Sequence, residues 1–149
     1  MDLKERLALE FNEALKRGNK LKVSVLRLLR TTIKNREVEK RSPLSESEVI
    51  QAIVSSCKQR KEAIAEFRQA GREDLVSKEE AELQILEGFL PAPLSLEELK
   101  VKVAEAITET GASSLKDMGK VMAHLLPQVA GRADGRLTSQ LVREALARS

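Results

Sequence analysis

Pro91-Ala92-Pro93 interrupts a chain whose other segments read as one helix after another. A proline ring has no amide hydrogen to donate and clashes with the helical turn before it. It also drives the preceding residue out of helical geometry. No helix can therefore cross this point, and the sequence divides into a helical subdomain over residues 1–91 and a second over 94–149. Start and stop signals fill both parts. Leu3, Leu7, Phe11 and Leu15 recur every four residues before a stop at Gly18, and a second helix runs from about Lys20 to Lys40, ahead of Ser42-Pro43. Ser45-Glu46-Ser47-Glu48 has the capping-box pattern and opens a third helix near Glu46 that reaches Gly71; Ser77-Lys78-Glu79-Glu80 has the same pattern and predicts a fourth helix from there to Leu90. Past the prolines, Ser95-Leu96-Glu97-Glu98 opens a fifth helix carrying Leu99, Val103 and Ile107 to Gly111. Ser114 with Asp117 starts a sixth, which should stop near Leu126 before Pro127. Asp134 is placed to cap a seventh, with Leu137, Leu141 and Val142 inward. No stretch alternates as a strand would. The expected fold is all-α and multihelical: about four longer helices, then a three-helix bundle.

Composition agrees with that class. The chain has 149 residues, 42% of them hydrophobic, with three Phe and neither Trp nor Tyr, which favours aliphatic helical packing over the aromatic and β-branched cores of sheets. Cys57 is alone, so no intrachain disulfide or cysteine metal cluster can form. The first residues, MDLKERLALEF, lack the apolar centre of a secretory signal, and no apolar run approaches the ~20 residues of a membrane span. These features set the expectation of a soluble cytoplasmic protein with no membrane contact.

No catalytic constellation can be drawn from these residues. His124 is the only histidine and projects away from the Met118, Met122 and Leu125 stripe; Cys57 shares a face with Ile50, Ile53 and Ile64. One histidine and one cysteine cannot make a triad or a zinc set, and no glycine-rich phosphate loop follows a strand. The carboxylate pairs Glu79-Glu80 and Glu97-Glu98 read as first-turn residues that favour the helix dipole. The sequence supplies no catalytic residue, metal site, cofactor site or evident small-molecule substrate.

Charge is the feature that points to a partner. Net charge is only +3, yet residues 1–41 carry 12 Lys/Arg against 6 Asp/Glu, while residues 42–90 carry 6 against 10. On the second helix Lys20, Arg27, Arg30, Lys34 and Arg41 cluster opposite Leu21, Val25, Leu28, Leu29 and Ile33, along ~30 Å of axis. This is either a phosphate-tracking ridge for RNA or a solvated amphipathic face paired with the acidic middle segment. Base stacking has little support, since Phe11, Phe67 and Phe89 all occupy apolar positions. Arg60 is out of place on the apolar face of the third helix. It needs an internal ion pair, with Asp74 or a glutamate of the fourth helix, unless it belongs to a ligand or partner site.

Residues 118–135, MGKVMAHLLPQVAGRADG, hold three of the seven glycines. Gly119 sits in a helical pattern at a cost of about 1 kcal/mol relative to alanine, which suggests a close-packing point. Gly131 and Gly135 bracket Arg132-Ala133-Asp134, a turn between helices with Lys120, Arg132 and Arg136 beside it as possible phosphate contacts. This segment resembles the carboxyl-terminal signature of the GatB/YqeY family. LKVSVLRLLRTTIKNREVE (21–39), KQRKEAIAEFRQAGREDL (58–75) and EGFLPAPLSLEEL (87–99) follow the YqeY pattern in the same order, so the resemblance covers essentially the whole chain. Its signature positions here are Lys58, Gln59, Arg60, Gly71, Arg72, Asp74, Pro91, Met118, Gly119, Met122, Gly131, Ala133, Asp134 and Gly135, read mainly as structural. The family comprises free-standing YqeY-like proteins and the tail domain of the B subunit of glutamine-dependent tRNA amidotransferases. The resemblance implies an all-helical fold of two subdomains and an accessory module that contacts tRNA. It also carries an association with carbon–nitrogen ligases using glutamine as amido-nitrogen donor, chemistry for which this chain has no group. The alternative is a protein-interaction module that docks a helix or an enzyme subunit and has no nucleic-acid role.

Overall fold

The computed structural model describes residues 1–148, and every regular element among them is helical. Seven α-helices follow in order: α1 (Leu3–Arg17), α2 (Lys20–Lys40), α3 (Glu46–Gln69), α4 (Glu73–Glu87), α5 (Leu96–Thr110), α6 (Met118–Val129) and α7 (Gly135–Ala147). A single 3-10 turn, Leu115–Asp117, leads into α6. Two compact units form, one ending at Leu90 and one beginning at Pro91.

In the amino-terminal unit α2 packs against α1, α3 and α4, and α3 and α4 fold back on each other as a hairpin. The core is aliphatic apart from Phe89. Leu7 of α1, Val25, Leu26, Leu29 and Ile33 of α2, Ala52 and Ile53 of α3, and Leu86 of α4 meet there. Burial of Leu26 and exposure of Leu28 (58%) turn the apolar face of α2 slightly from the expected one. Leu15 is likewise exposed, because α1 buries Leu7 and Ala14 with Phe11 at the edge. Asp2 and Asn19 cap α1 and α2, and Ser45 with Glu48 completes a reciprocal capping box on α3.

Two helix boundaries and two residue placements differ from the sequence expectation. Helix α4 starts at Glu73, so Ser77-Lys78-Glu79-Glu80 lies inside it; Glu73 and Asp74 supply the acidic first turn and no side chain caps Arg72. Arg41 is the C-cap of α2 rather than a helical residue, with φ +63° in the left-handed region. Helix α6 continues through Pro127 to Val129. The missing amide of Pro127 removes one bond near the end of α6, and Ala123, whose carbonyl it would have met, is on the exposed side. In α7 the inward positions are Thr138, Val142 and Leu146, while Leu137 is partly exposed. Thr138 is tolerated there because its hydroxyl donates to the Asp134 carbonyl at 2.8 Å.

The carboxyl-terminal unit is a three-helix bundle closed by Leu99, Val103, Val121, Leu125, Val129, Val142 and Leu146. Gly119 is no close-packing point: a methyl group built on it would meet nothing within 4 Å. It lies in the first turn of α6, where the backbone conformation is available to any residue. Gly119→Ala should therefore leave the fold intact and stabilise it by up to about 1 kcal/mol, read as a rise in the midpoint of thermal unfolding.

The capping box of α3 also sets an acid sensitivity. Lys40, bonded to Glu48 at 2.5 Å, together with the Ser45 amide and hydroxyl, holds the Glu48 carboxyl at about 2 against an ordinary 4.5. A lowered folded-state value stabilises the fold above pH 4.5 and is lost as pH falls toward about 2. Glu48→Gln should flatten the acid limb of a stability-versus-pH curve, measured by denaturant unfolding at a series of pH values.

Candidate nucleic-acid interface

Helices α1 and α2 are joined by the short turn at Gly18-Asn19, with Gly18 in the left-handed conformation that ends α1. The turn folds α2 back along α1, so residues equally far from it in sequence face each other. Phe11 on α1 thereby meets Arg27 and Arg30 on α2. The two guanidinium carbons lie 5.7 and 4.9 Å from the centroid of its ring. Lys34, one turn further along α2, completes the row.

Between the helices is a cleft of about 530 Å³ lined by Lys4, Leu7 and Phe11 on one side and by Arg27, Arg30, Ile33, Lys34 and Glu37 on the other. Leu7 and Ile33 are buried and form an apolar floor. Glu37 is the carboxylate of the cleft and is already engaged, accepting from Lys4 Nζ at 2.6 Å and from the Leu44 amide at 2.8 Å. The Lys4 bond, and then that amide, hold it below the usual carboxylate range. Among the described residues, the side chains of Arg27, Arg30 and Lys34 form no ion pair or hydrogen bond. Three cations thus share one cleft without a protein counter-charge, an arrangement that attracts an anion.

The other candidates fall elsewhere. Lys20 borders a separate hollow beside Leu15 and Gly18 that it shares with Arg27. Arg41 lines neither; its backbone forms the C-cap that ends α2 and the residue is exposed. Lys120, Arg132 and Arg136 belong to the carboxyl-terminal unit. There Arg132 is half-buried and structural: its Nε donates to the Ala92 carbonyl at 2.9 Å, and its own carbonyl accepts from the Leu94 amide at 2.8 Å. Lys120 is close enough to Asp117 to favour its charged form, and Asp134 caps α7 by accepting from the Arg136 amide. Gly131 is left-handed, with φ +72°, in the turn that Ala133 helps to pack. Met118 and Met122 pack beside the bundle core, Pro91 opens the unit, and Gly135 begins α7.

Arg60 finds its partners on α4, though Asp74 is not one of them. Its Nη1 donates to Glu79 at 3.0 Å and makes a shorter contact with Glu82, the one buried carboxylate of the unit. Asp74 instead pairs with Arg72 across the exposed turn after Gly71, at 3.0 and 3.1 Å. Lys58 and Gln59 are exposed, and Gln59 borders a cleft of about 250 Å³ with Leu28, Thr32 and Arg60. Cys57 is buried, and burial pushes its thiol pKa up. His124 is at the surface, 2.5 Å from Glu109. No group of described residues could hold a metal ion, and no described helix is long and apolar enough to cross a membrane.

Sequence reasoning placed Phe11 only in the apolar face of α1 and left Lys4 unassigned. The missing signal was available in the Gly18-Asn19 turn, since counting outward from Asn19 brings Phe11 opposite Arg27 and Lys4 opposite Lys34.

A helical core, an all-α bundle at the carboxyl end and a basic cleft at the amino end define the class, and comparison with known proteins supplies the family. The chain belongs to the Yqey-like protein family, whose model matches residues 4–146. It is similar to three fungal proteins that each bear the name "Altered inheritance of mitochondria protein 41, mitochondrial". The protein from Pyrenophora tritici-repentis is 29% identical over 95% of this chain and 79% of its own length. Its counterpart from Eremothecium gossypii is 31% identical over 98% and 81%. The one from Kluyveromyces lactis is 35% identical over 67% and 56%. These names overturn the expectation of a cytoplasmic protein. Its physical basis was weak, because a chain without an apolar leader or span fits any aqueous compartment equally well.

The Arg60 cluster makes a sharp prediction. Arg60→Ala leaves two largely buried carboxylates facing each other and should destabilise the amino-terminal unit by about 3 kcal/mol in denaturant unfolding. Arg72→Ala, which removes the solvent-exposed pair, should leave the midpoint unchanged within error.

Proposed function

We propose that this protein is a non-catalytic accessory module that contacts tRNA through the basic side of α2. The observation that carries the reading is the trio of Arg27, Arg30 and Lys34, which shares one cleft without a carboxylate to neutralise it. Like charges held this close favour bound phosphate, because each phosphate neutralised releases counterions to solution. The relation to the tail of the amidotransferase B subunit is supported by the resemblance of residues 118–135. Glutamine-dependent amidation would then be the work of a partner enzyme, and the purified chain alone should show none.

A salt titration tests the reading. Binding to bulk tRNA should weaken with log salt at a slope of about −2 to −3, as three phosphate contacts require, and should exceed binding to a random RNA of equal length. Charge reversal at Arg27 and Lys34 together should lower affinity at least tenfold. Affinity for tRNA that is negligible even at low salt would sink the proposal.

Exposed Leu28, at the mouth of the smaller cleft beside Thr32, Gln59 and Arg60, supports a second reading as a protein-docking module. A partner retained by the tagged chain after nuclease treatment, and lost on Leu28→Glu, would favour it.

A further inference from the structure

We infer that the α1–α2 cleft is a nucleotide-sized site that takes one 5′-phosphorylated nucleotide, free or as the end of an RNA, rather than a segment of a longer phosphate track. This deepens the reading of the basic side as the RNA-contacting one and rests on it. Three observations lead here. First, the cations are confined. From Arg27 to Lys34 the helix rises only about 10 Å at 1.5 Å per residue, and Arg41, which a longer ridge needs, lies past the last helical residue as the C-cap and does not line the cleft. Second, the cleft encloses about 530 Å³, within the range of small-ligand sites and too large for a lone phosphate.

Third, its walls are amphipathic. Leu7 and Ile33 form a buried apolar floor, Phe11 stands beside it, and the three unpaired cations line its α2 wall. A ligand that satisfies both parts carries a flat, weakly polar ring joined to a compact polyanion, and a nucleoside phosphate has that form. The ring lies on the floor against Phe11 while the phosphates reach Arg27, Arg30 and Lys34. Glu37 lines the same cleft but does not oppose the ligand, since Lys4 offsets its charge at 2.6 Å. The Phe11 ring under both guanidiniums keeps them near the cleft before any ligand arrives.

The test is calorimetric titration of the whole chain with ADP, inorganic pyrophosphate and phosphatidylglycerol vesicles, with competition against one RNA oligomer bearing either a 5′-phosphate or a 5′-hydroxyl. One ADP should bind per chain, at least tenfold tighter than pyrophosphate, and should displace the 5′-phosphorylated oligomer. The 5′-hydroxyl oligomer should bind at least fivefold more weakly than its phosphorylated form. Arg30→Glu should abolish ADP binding, and Lys34→Glu, at an exposed position of α2, should weaken it at least fivefold. Lys100→Glu on α5 should leave it unchanged. Pyrophosphate binding as tightly as ADP would overturn the inference, since the apolar floor would then contribute nothing. Binding to the vesicles without binding to ADP would overturn it in favour of a membrane phosphate. Binding to tRNA without either ADP or end-phosphate dependence would overturn it while leaving tRNA contact standing. Failure of both ADP and tRNA would remove both.

Discussion

Everything in the amino-terminal unit depends on burying one side of α2. Val25, Leu26, Leu29 and Ile33 are nearly inaccessible to solvent, and α2, like α3, packs against each of the other three helices. At about 25 cal/mol per Å² of apolar surface removed from water, a row of four aliphatic side chains is a dominant source of stability for a unit this small. That demand also fixes what is left over. With one side of the helix committed to the core and another to Phe11, the basic residues can only line the cleft against α1 or face solvent.

Charge is used differently in the rest of the molecule. Arg60 ties α3 to α4 through two glutamates, and Arg132 ties the turn between α6 and α7 to Ala92 and Leu94. Lys40 and Lys4 each satisfy a glutamate that also accepts a backbone amide. In each of these the cation is spoken for by the fold. Arg27, Arg30 and Lys34 stand out by that contrast, since no carboxylate of the fold is paired with them. Like charges left side by side without a carboxylate partner are better explained by something they bind.

Helix type and order were legible because caps and glycine stops are local. Ser45, Ser95 and Asp134 cap the helices they were expected to cap, and Gly18 and Gly111 end theirs in the left-handed conformation. Local signals misled where they were duplicated: Ser77-Lys78-Glu79-Glu80 has the form of a cap but lies within α4, because packing of α3 against α4 already specifies helix from Glu73. The environment of Gly119 was not legible, since crowding around a backbone atom is a tertiary fact. The basic residues of α2 were readable as a group. Their gathering around Phe11 could be read only from the Gly18-Asn19 turn and not from α2 itself, because it depends on the hairpin that folds α2 back along α1. The partners of Arg60 lay between these cases, predictable as carboxylates of α4 but not as Glu79 and Glu82 in particular.

The lone thiol gives the molecule a property of its own. Cys57 sits in the core of the amino-terminal unit, and burial keeps its proton on. Only a thiolate in contact with solvent reacts, so this sulfur is silent until the helices around it part. In a chain with neither Trp nor Tyr, it is a chemical clock for one half of the protein. Its rate of alkylation counts the openings of the unit that holds the basic cleft and is blind to those of the bundle that follows.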